Sequence, residues 1–154
     1  MMIFGDLNFR IDMENAKCRQ MIKNEELSSL QTYDQFIIEK KKNSNFADIV
    51  EGKLNFRPTY RYDINTNDYD TSKKNRVPAW CDRVLWRYND IIKQMLYERA
   101  DYKMSDHRPV YSFFEINLNK NSNFDFIIKS EIQNTEKEVK IYLILEISSK
   151  MLYN

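Results

Sequence analysis

Two short runs hold the residues with the greatest chemical reach. Gly5-Asp6-Leu7-Asn8 lies near the start, and Ser105-Asp106-His107-Arg108-Pro109-Val110 contains the only histidine. Alternation along a strand puts Asp6 and Asn8 on the same face. A carboxylate and an amide so placed can take a proton from water and donate a hydrogen bond to a phosphate oxygen. His107, in a Ser-Asp-His turn before an apolar strand, is the side chain whose charge changes near neutral pH. Taken singly, each run is more often structural, since Asp and Asn favour turns.

A third block lies between them. It comprises Phe56-Arg57-Pro58-Thr59-Tyr60-Arg61-Tyr62-Asp63 and then Thr71-Ser72-Lys73-Lys74-Asn75-Arg76-Val77-Pro78-Ala79-Trp80-Cys81-Asp82-Arg83-Val84-Leu85-Trp86. From Arg57 to Arg87 there are seven Lys or Arg against four acids, a local surplus of three. A substrate with several phosphates calls for such a surplus, with arginine forks and lysine point charges aimed at separate groups. Trp80 and Trp86 read as core residues, and Pro58 and Pro78 as fixing the entry of a strand. Cys81 followed five residues later by Arg87 matches the bare spacing of cysteine-dependent phosphatases. The intervening residues are bulky and free of glycine, and Asp82 beside the thiol would raise its pKa and repel phosphate. Cys81 therefore reads as a buried structural thiol.

The elements that must position these groups follow from periodicity. Met1 to Leu7 is an apolar run read as a strand. From Glu14 to Lys42 the period is helical, with Leu27, Leu30, Ile37 and Ile38 on one face and Lys40, Lys41 and Lys42 at a solvated helix end. Short strands are expected at Leu54–Phe56, Thr59–Tyr62, Trp80–Trp86, Met95–Glu98 and Val110–Leu118, with an exposed loop from Asp63 to Asn75. The segment 119–154 opens as an asparagine- and lysine-rich connector and holds two further strands.

Together the three blocks resemble the inositol polyphosphate 5-phosphatases, a branch of the endonuclease, exonuclease and phosphatase superfamily. Gly-Asp-Leu-Asn and Ser-Asp-His are similar to the superfamily's signatures, and the Pro58–Asp63 and Lys74–Trp86 runs to the two hallmark motifs of the branch. Asp34-Gln35-Phe36 is similar to the family's Asp-Gln-Leu. The resemblance covers Met1 to about Leu118. It implies the C-terminal half of a catalytic domain, with residues 119–154 as a separate strand-rich tail. The fold it implies is α/β of the α+β type, part of a four-layer two-sheet sandwich flanked by helices, with the N-terminal half missing.

By the same resemblance, Asp6 orients and deprotonates the attacking water and Asn8 holds a scissile phosphate oxygen. His107 contacts the scissile phosphate and Asp82 pairs with it. Tyr60, Arg61, Lys74 and Arg76 grip neighbouring phosphates, and arginine stands at position 61 where the family usually has lysine. Asp106 adjoins a magnesium ion whose main ligands, an Asn and a Glu, belong to the earlier half. The implied reaction is magnesium-assisted attack of water on the 5-phosphate of a phosphoinositide or soluble inositol polyphosphate. A catalytically inactive fragment or a phosphoinositide-binding module is the competing reading.

Bulk properties narrow the class further. With 154 residues, 42% hydrophobic, the chain suits one globular domain. A net charge of +1 supplies no whole-molecule field for nucleic acid, which disfavours a nuclease. Two cysteines suit a reducing compartment, and no apolar run is long enough to span a bilayer. The expected setting is cytoplasmic, with peripheral contact at membranes.

If Lys74 and Arg76 meet separate phosphates, replacing both by alanine weakens binding of a bisphosphorylated inositol headgroup more than a monophosphorylated one. The loss is about 1.5–3 kcal/mol for each charge-assisted contact, read by calorimetric titration. Equal losses for both headgroups would reduce the pair to general positive potential.

Overall fold

In the computed structural model the described residues are 1–118, 134–135 and 138–147. They form two antiparallel sheets with a helical layer on one side. β1 (Met2–Asp6) pairs with β3 (Asp82–Arg87), Met2 facing Trp86 and Asp6 facing Asp82. β2 (Ile49–Glu51) covers the other edge of β3, so the order is β1-β3-β2. The central strand is the most deeply set, and residues 82–86 are all buried, Asp82 and Arg83 included. The second sheet contains β4 (Ile92–Arg99), β5 (Val110–Leu118), β6 (Asn134–Thr135) and β7 (Glu138–Ile147), in the order β4-β5-β7-β6.

β3 and β5 bring the sheets together. Trp86 meets Phe114 edge-to-face at 5.1 Å between ring centroids, and Val84, Val110 and Phe114 are fully buried. Trp80 is also fully buried, its indole N–H donating to the Phe56 carbonyl at 2.9 Å. Both tryptophans thus belong to the core, as expected. Cys81 is buried and free, and burial pushes its thiol up to about 12, as befits a structural group.

The helical stretch divides into three. In α1 (Asn15–Lys23) the Glu14 carboxylate caps the first turn by accepting from the backbone N–H groups of Ala16 and Lys17. The chain turns at Glu25, whose φ is +56°, and α2 (Leu27–Leu30) follows. A 3₁₀ turn, Gln31–Tyr33, leads to Asp34, which caps α3 (Gln35–Lys42) by accepting from the Ile37 N–H at 3.2 Å. Cys18, Ile22, Leu27 and Leu30 face the main core. Phe36, which the periodic face omitted, is the buried residue of α3. Lys41 and Lys42 are exposed, while Lys40 donates to the Ile49 carbonyl and ties the helix end to β2.

Two expected strands are absent. Leu54–Phe56 has no ladder, and Thr59–Tyr62 forms only isolated bridges. Pro58 offers no N–H, and the groups after it bond to different partners. Tyr60 exchanges backbone bonds with Ala79, Arg108 N–H donates to the Thr59 carbonyl, and Tyr62 N–H donates to the Asp106 carbonyl. The segment therefore stitches two loops together instead of extending a sheet. β2 was not anticipated, being only three residues long. β4 is longer than expected and carries a bulge between Gln94 and Leu96, which leaves both Met95 and Leu96 exposed.

The strongest polar constraint lies under α3. Arg83 is fully buried and forks between Asp34 and Glu51, the latter at 2.7 Å. Its Nε donates to the Trp80 carbonyl at 2.8 Å, and the Phe36 ring lies 5.2 Å from its guanidinium carbon. Arg83 thus drops out of the charge surplus read from the sequence, and Arg57 is occupied by Glu25.

Leaving a buried charge uncompensated costs about 3–5 kcal/mol, whereas replacing a whole ion cluster by apolar side chains is often neutral or stabilising. Arg83→Met should therefore destabilise the fold by about 3–5 kcal/mol in urea unfolding followed by circular dichroism. Adding Asp34→Leu and Glu51→Leu should recover most of that loss. A triple variant worse than the single one would contradict this account.

Candidate active site

β1 and β3 end side by side, and their register sets Asp6 opposite Asp82. The Leu7 N–H then donates to the Cys81 carbonyl at 2.8 Å, continuing the pairing for one more bond. The Ser105–Arg108 turn comes in from β5. Tyr60 bridges to both Ala79 and His107, so one residue clamps this turn to the end of β3.

This geometry gathers three groups. His107 Nδ1 lies 2.8 Å from Asp82 Oδ2, and its Nε2 lies 4.0 Å from Asp6 Oδ2. Thr59 Oγ1 donates to the same Asp82 oxygen at 2.7 Å. Asp82 is buried, His107 half-buried and Asp6 exposed, so the line runs from the interior to the open surface. Asp82 holds Nδ1 protonated, which leaves Nε2 facing Asp6 and the solvent side. Burial pushes His107 down. The Asp82 hydrogen bond and the charges of Asp82, Asp6 and Asp106 outweigh it, and the imidazole sits above its usual pKa.

Asn8 follows β1 with φ +58°, a conformation asparagine tolerates better than most residues. Its backbone N–H donates to Asp6 Oδ1 at 3.0 Å, which orients the carboxylate. Its side-chain oxygen accepts from Arg10. Tyr60 is nearly buried, with its ring 4.6 Å from the His107 ring and 4.5 Å from the Arg10 guanidinium carbon.

Beside this group lies the basic segment. Arg61 is half-buried, and its Nε lies 3.5 Å from Asp106 Oδ2. The buried carboxylate of Asp70 organises the loop. It accepts from the backbone N–H groups of Ser72 and Arg76, while the Asp70 N–H donates to the Arg61 carbonyl. Arg61 and Arg76 are therefore anchored to one residue despite their separation in sequence. Lys74 and Arg76 are exposed, and among the described residues neither has an acidic partner within ion-pair distance.

Asp6, Asp82 and His107 each place one donor atom within 4.8 Å of the others. Asp106 stands outside this cluster and faces Arg61. Two oxygens are already used, since Asp82 Oδ2 serves His107 and Thr59, and Asp6 Oδ1 serves Asn8. Asp6 Oδ2 is the exposed carboxylate oxygen left to bind a cation. Thr59 and Arg10 escaped the reading of the sequence because their roles lie in contacts across the fold.

A profile of endonuclease/exonuclease/phosphatase family 2 matches residues 1–113. A type II inositol 1,4,5-trisphosphate 5-phosphatase from Mus musculus is 38% identical over 115 residues, which is 74% of this chain and 12% of that protein. Among solved structures, the inositol polyphosphate 5-phosphatase domain of a synaptojanin, in complex with inositol (1,4)-bisphosphate and calcium, superposes with a TM-score of 0.69 at 30% identity. The match covers 93% of this chain and 34% of that one. A Cimex nitrophorin in its ferrous NO complex also superposes, with a TM-score of 0.66 at 28% identity, over 73% of this chain and 40% of its own. The chain spans between 9% and 24% of the length of similar curated relatives.

The single histidine makes the Asp82 contact directly testable by proton NMR. Asp82→Asn removes the charge that holds the imidazolium, so the His107 midpoint should fall from above its usual range to at or below it. A raised folded-state pKa stabilises the fold fully below about pH 6.5, and the contribution fades as pH rises through the folded value. Asp82→Asn should therefore cost more stability at pH 5.5 than at pH 9. A cost independent of pH would show that the contact is not ionic.

Proposed function

We propose a function from one premise, that the chain belongs to endonuclease/exonuclease/phosphatase family 2. The proposal is that it carries part of the active site of an inositol polyphosphate 5-phosphatase, which hydrolyses the 5-phosphate of a phosphoinositide or soluble inositol polyphosphate. The observation behind it is the line from Asp82 through His107 to Asp6 at the paired ends of β1 and β3. The fold alone does not decide the chemistry, as its occurrence in a nitrophorin illustrates. Here the imidazole is bound to a buried carboxylate, and the open side carries a second carboxylate, an amide and cations. That set suits in-line attack of water on a phosphate ester.

In this proposal Asp6 orients the attacking water and accepts its proton. Asn8 donates through Nδ2 to an oxygen of the scissile phosphate. His107, kept protonated by Asp82, lays its Nε2–H against the same phosphate, where negative charge grows as the bond to water forms. Tyr60, Arg61, Lys74 and Arg76 hold neighbouring phosphates, with Asp106 steering Arg61. No covalent intermediate arises: as the water oxygen bonds to phosphorus, the bond from phosphorus to the inositol 5-oxygen breaks. That oxygen leaves as a hydroxyl after taking a proton from solvent, while the buried thiol of Cys81 takes no part.

Magnesium is the ion the family reading implies. It is typically bound through one or two carboxylates together with substrate phosphates and water, and Asp6 Oδ2 fits one edge of such a site. Bound there, the ion would neutralise phosphoryl oxygens. The proposed setting is cytoplasmic with peripheral access to membranes. Among the described residues, no helix is long and apolar enough to cross one.

The test exchanges these 154 residues for the matching third of the synaptojanin domain. The hybrid should release phosphate from inositol 1,4,5-trisphosphate only with magnesium present. His107→Ala or Asp6→Ala should each lower kcat by at least a hundredfold, about 2.7 kcal/mol or more of transition-state stabilisation. Cys81→Ser should leave kcat within a few-fold of the parent. Turnover that survives His107→Ala but is lost with Cys81→Ser would overturn the mechanism.

A further inference from the structure

We infer that Arg10 is a positioning residue whose task is to set the orientation of the Asn8 amide, with Gln35 as its anchor. This deepens the functional reading above and rests on it for the ligand of Asn8. The argument begins with hydrogen-bond chemistry. An asparagine amide has an accepting and a donating end, and only its Nδ2 end can serve a phosphate oxygen. Rotated by half a turn, the same side chain would present an oxygen to an anion and repel it. Something must choose between the two orientations.

Arg10 makes that choice. A guanidinium has donors and no acceptor, so the Asn8 atom facing it is the oxygen. Arg10 Nη2 donates to Asn8 Oδ1, which turns Nδ2 away from the arginine. The guanidinium is held on one side by an aromatic ring, and the Arg10 backbone is held separately. The guanidinium carbon lies 4.5 Å from the Tyr60 ring centroid, a cation–π contact, and that ring also meets His107. Its backbone is fixed by Gln35, the first residue of α3. Gln35 Oε1 accepts from the Arg10 N–H at 3.0 Å, and the Gln35 N–H donates to the Arg10 carbonyl at 2.8 Å. The Gln35 amide spends its other end on Asp12 Oδ1 at 2.7 Å. The Asp34-Gln35 pair thus acquires two tasks: Asp34 buries a carboxylate against Arg83, and Gln35 locks the segment after β1.

This arrangement separates two roles for a cation beside a phosphate site. A direct ligand contributes independently of Asn8, whereas a positioning residue contributes only through Asn8. A double-mutant cycle distinguishes them. In the 154-residue chain, titrated with inositol (1,4)-bisphosphate, Arg10→Met and Asn8→Ala should each weaken binding about tenfold, or about 1.4 kcal/mol. The double variant should bind no more weakly than either single one. Arg10→Lys keeps a donor for Oδ1 and should recover most of the affinity. Any asparagine amide gives two proton signals because its C–N bond rotates slowly, but in nitrogen-15 NMR those of Asn8 should lie away from the positions of a solvent-exposed asparagine. Arg10→Met should draw them to those exposed positions, with the thermal midpoint unchanged.

Losses that multiply in the double variant would make Arg10 a direct ligand and overturn the inference. So would an Asn8 amide signal indifferent to Arg10→Met, which is read without any ligand. If the parent chain and Asn8→Ala bind the bisphosphate equally, the functional reading of Asn8 fails. The amide signal still shows in that case whether Arg10 orients the side chain.

Discussion

The buried guanidinium of Arg83 is the interaction on which the rest of the structure depends. It gathers Asp34 from the cap of α3, Glu51 from the end of β2 and the Trp80 carbonyl from the approach to β3. Three separate segments are thereby held at one point with almost no solvent. Apolar packing alone tolerates small slips between a helix and a sheet. A forked ionic contact does not, because a displaced charge would remain buried without its partner. Burial lifts the Glu51 carboxyl to about 7 even with Arg83 beside it, a measure of how dry the place is. Tyr97 adds a hydrogen bond to the same carboxylate at 3.1 Å, extending the network to the second sheet.

The position of Arg83 matters as much as its partners. Asp82 is its neighbour in β3, and adjacent strand residues point to opposite faces. Pinning Arg83 toward the helices therefore turns Asp82 toward Thr59 and His107. The helical layer stabilises one face of the strand and thereby orients the reactive face. A similar economy operates at Asp34-Gln35, where adjacent residues hold β3 and the segment after β1. The site's precision is thus inherited from backbone placement by buried polar contacts, with loops contributing the exposed cations.

Charge in the site is graded by depth. Asp82 is buried and committed to His107, His107 is half-buried, and Asp6 and the Lys74–Arg76 segment face solvent. Electrostatic contacts strengthen away from water, so the inner pair is suited to fixing protonation and the outer groups to meeting an anionic ligand. The deep cation, Arg83, is paired with Asp34 and Glu51 and has no charge left for a ligand. The surplus positive charge read along the Arg57–Arg87 stretch resolves into a structural fraction and a smaller fraction free to bind.

Much of this was legible in the sequence because its signals are local. A continuous apolar run marked β1, short strand-like segments marked β5 and part of β4, helical spacing marked the 14–42 region, and the Asp-Leu-Asn, Trp-Cys-Asp-Arg and Ser-Asp-His runs marked the residues that converge. Bulky neighbours and an adjacent acid were enough to identify Cys81 as structural. Tertiary structure alone decided what depends on contacts between distant segments. It broke the helical stretch at Glu25, made Thr59–Tyr62 a stitch between loops instead of a strand, and sent Arg83 inward while leaving Arg76 outside. It also placed Asp106 against Arg61 and gave Arg10 its place beside Asn8. Periodicity records which face of an element is apolar, but the partner of a buried charge lies on another segment, and only folding brings the two within reach.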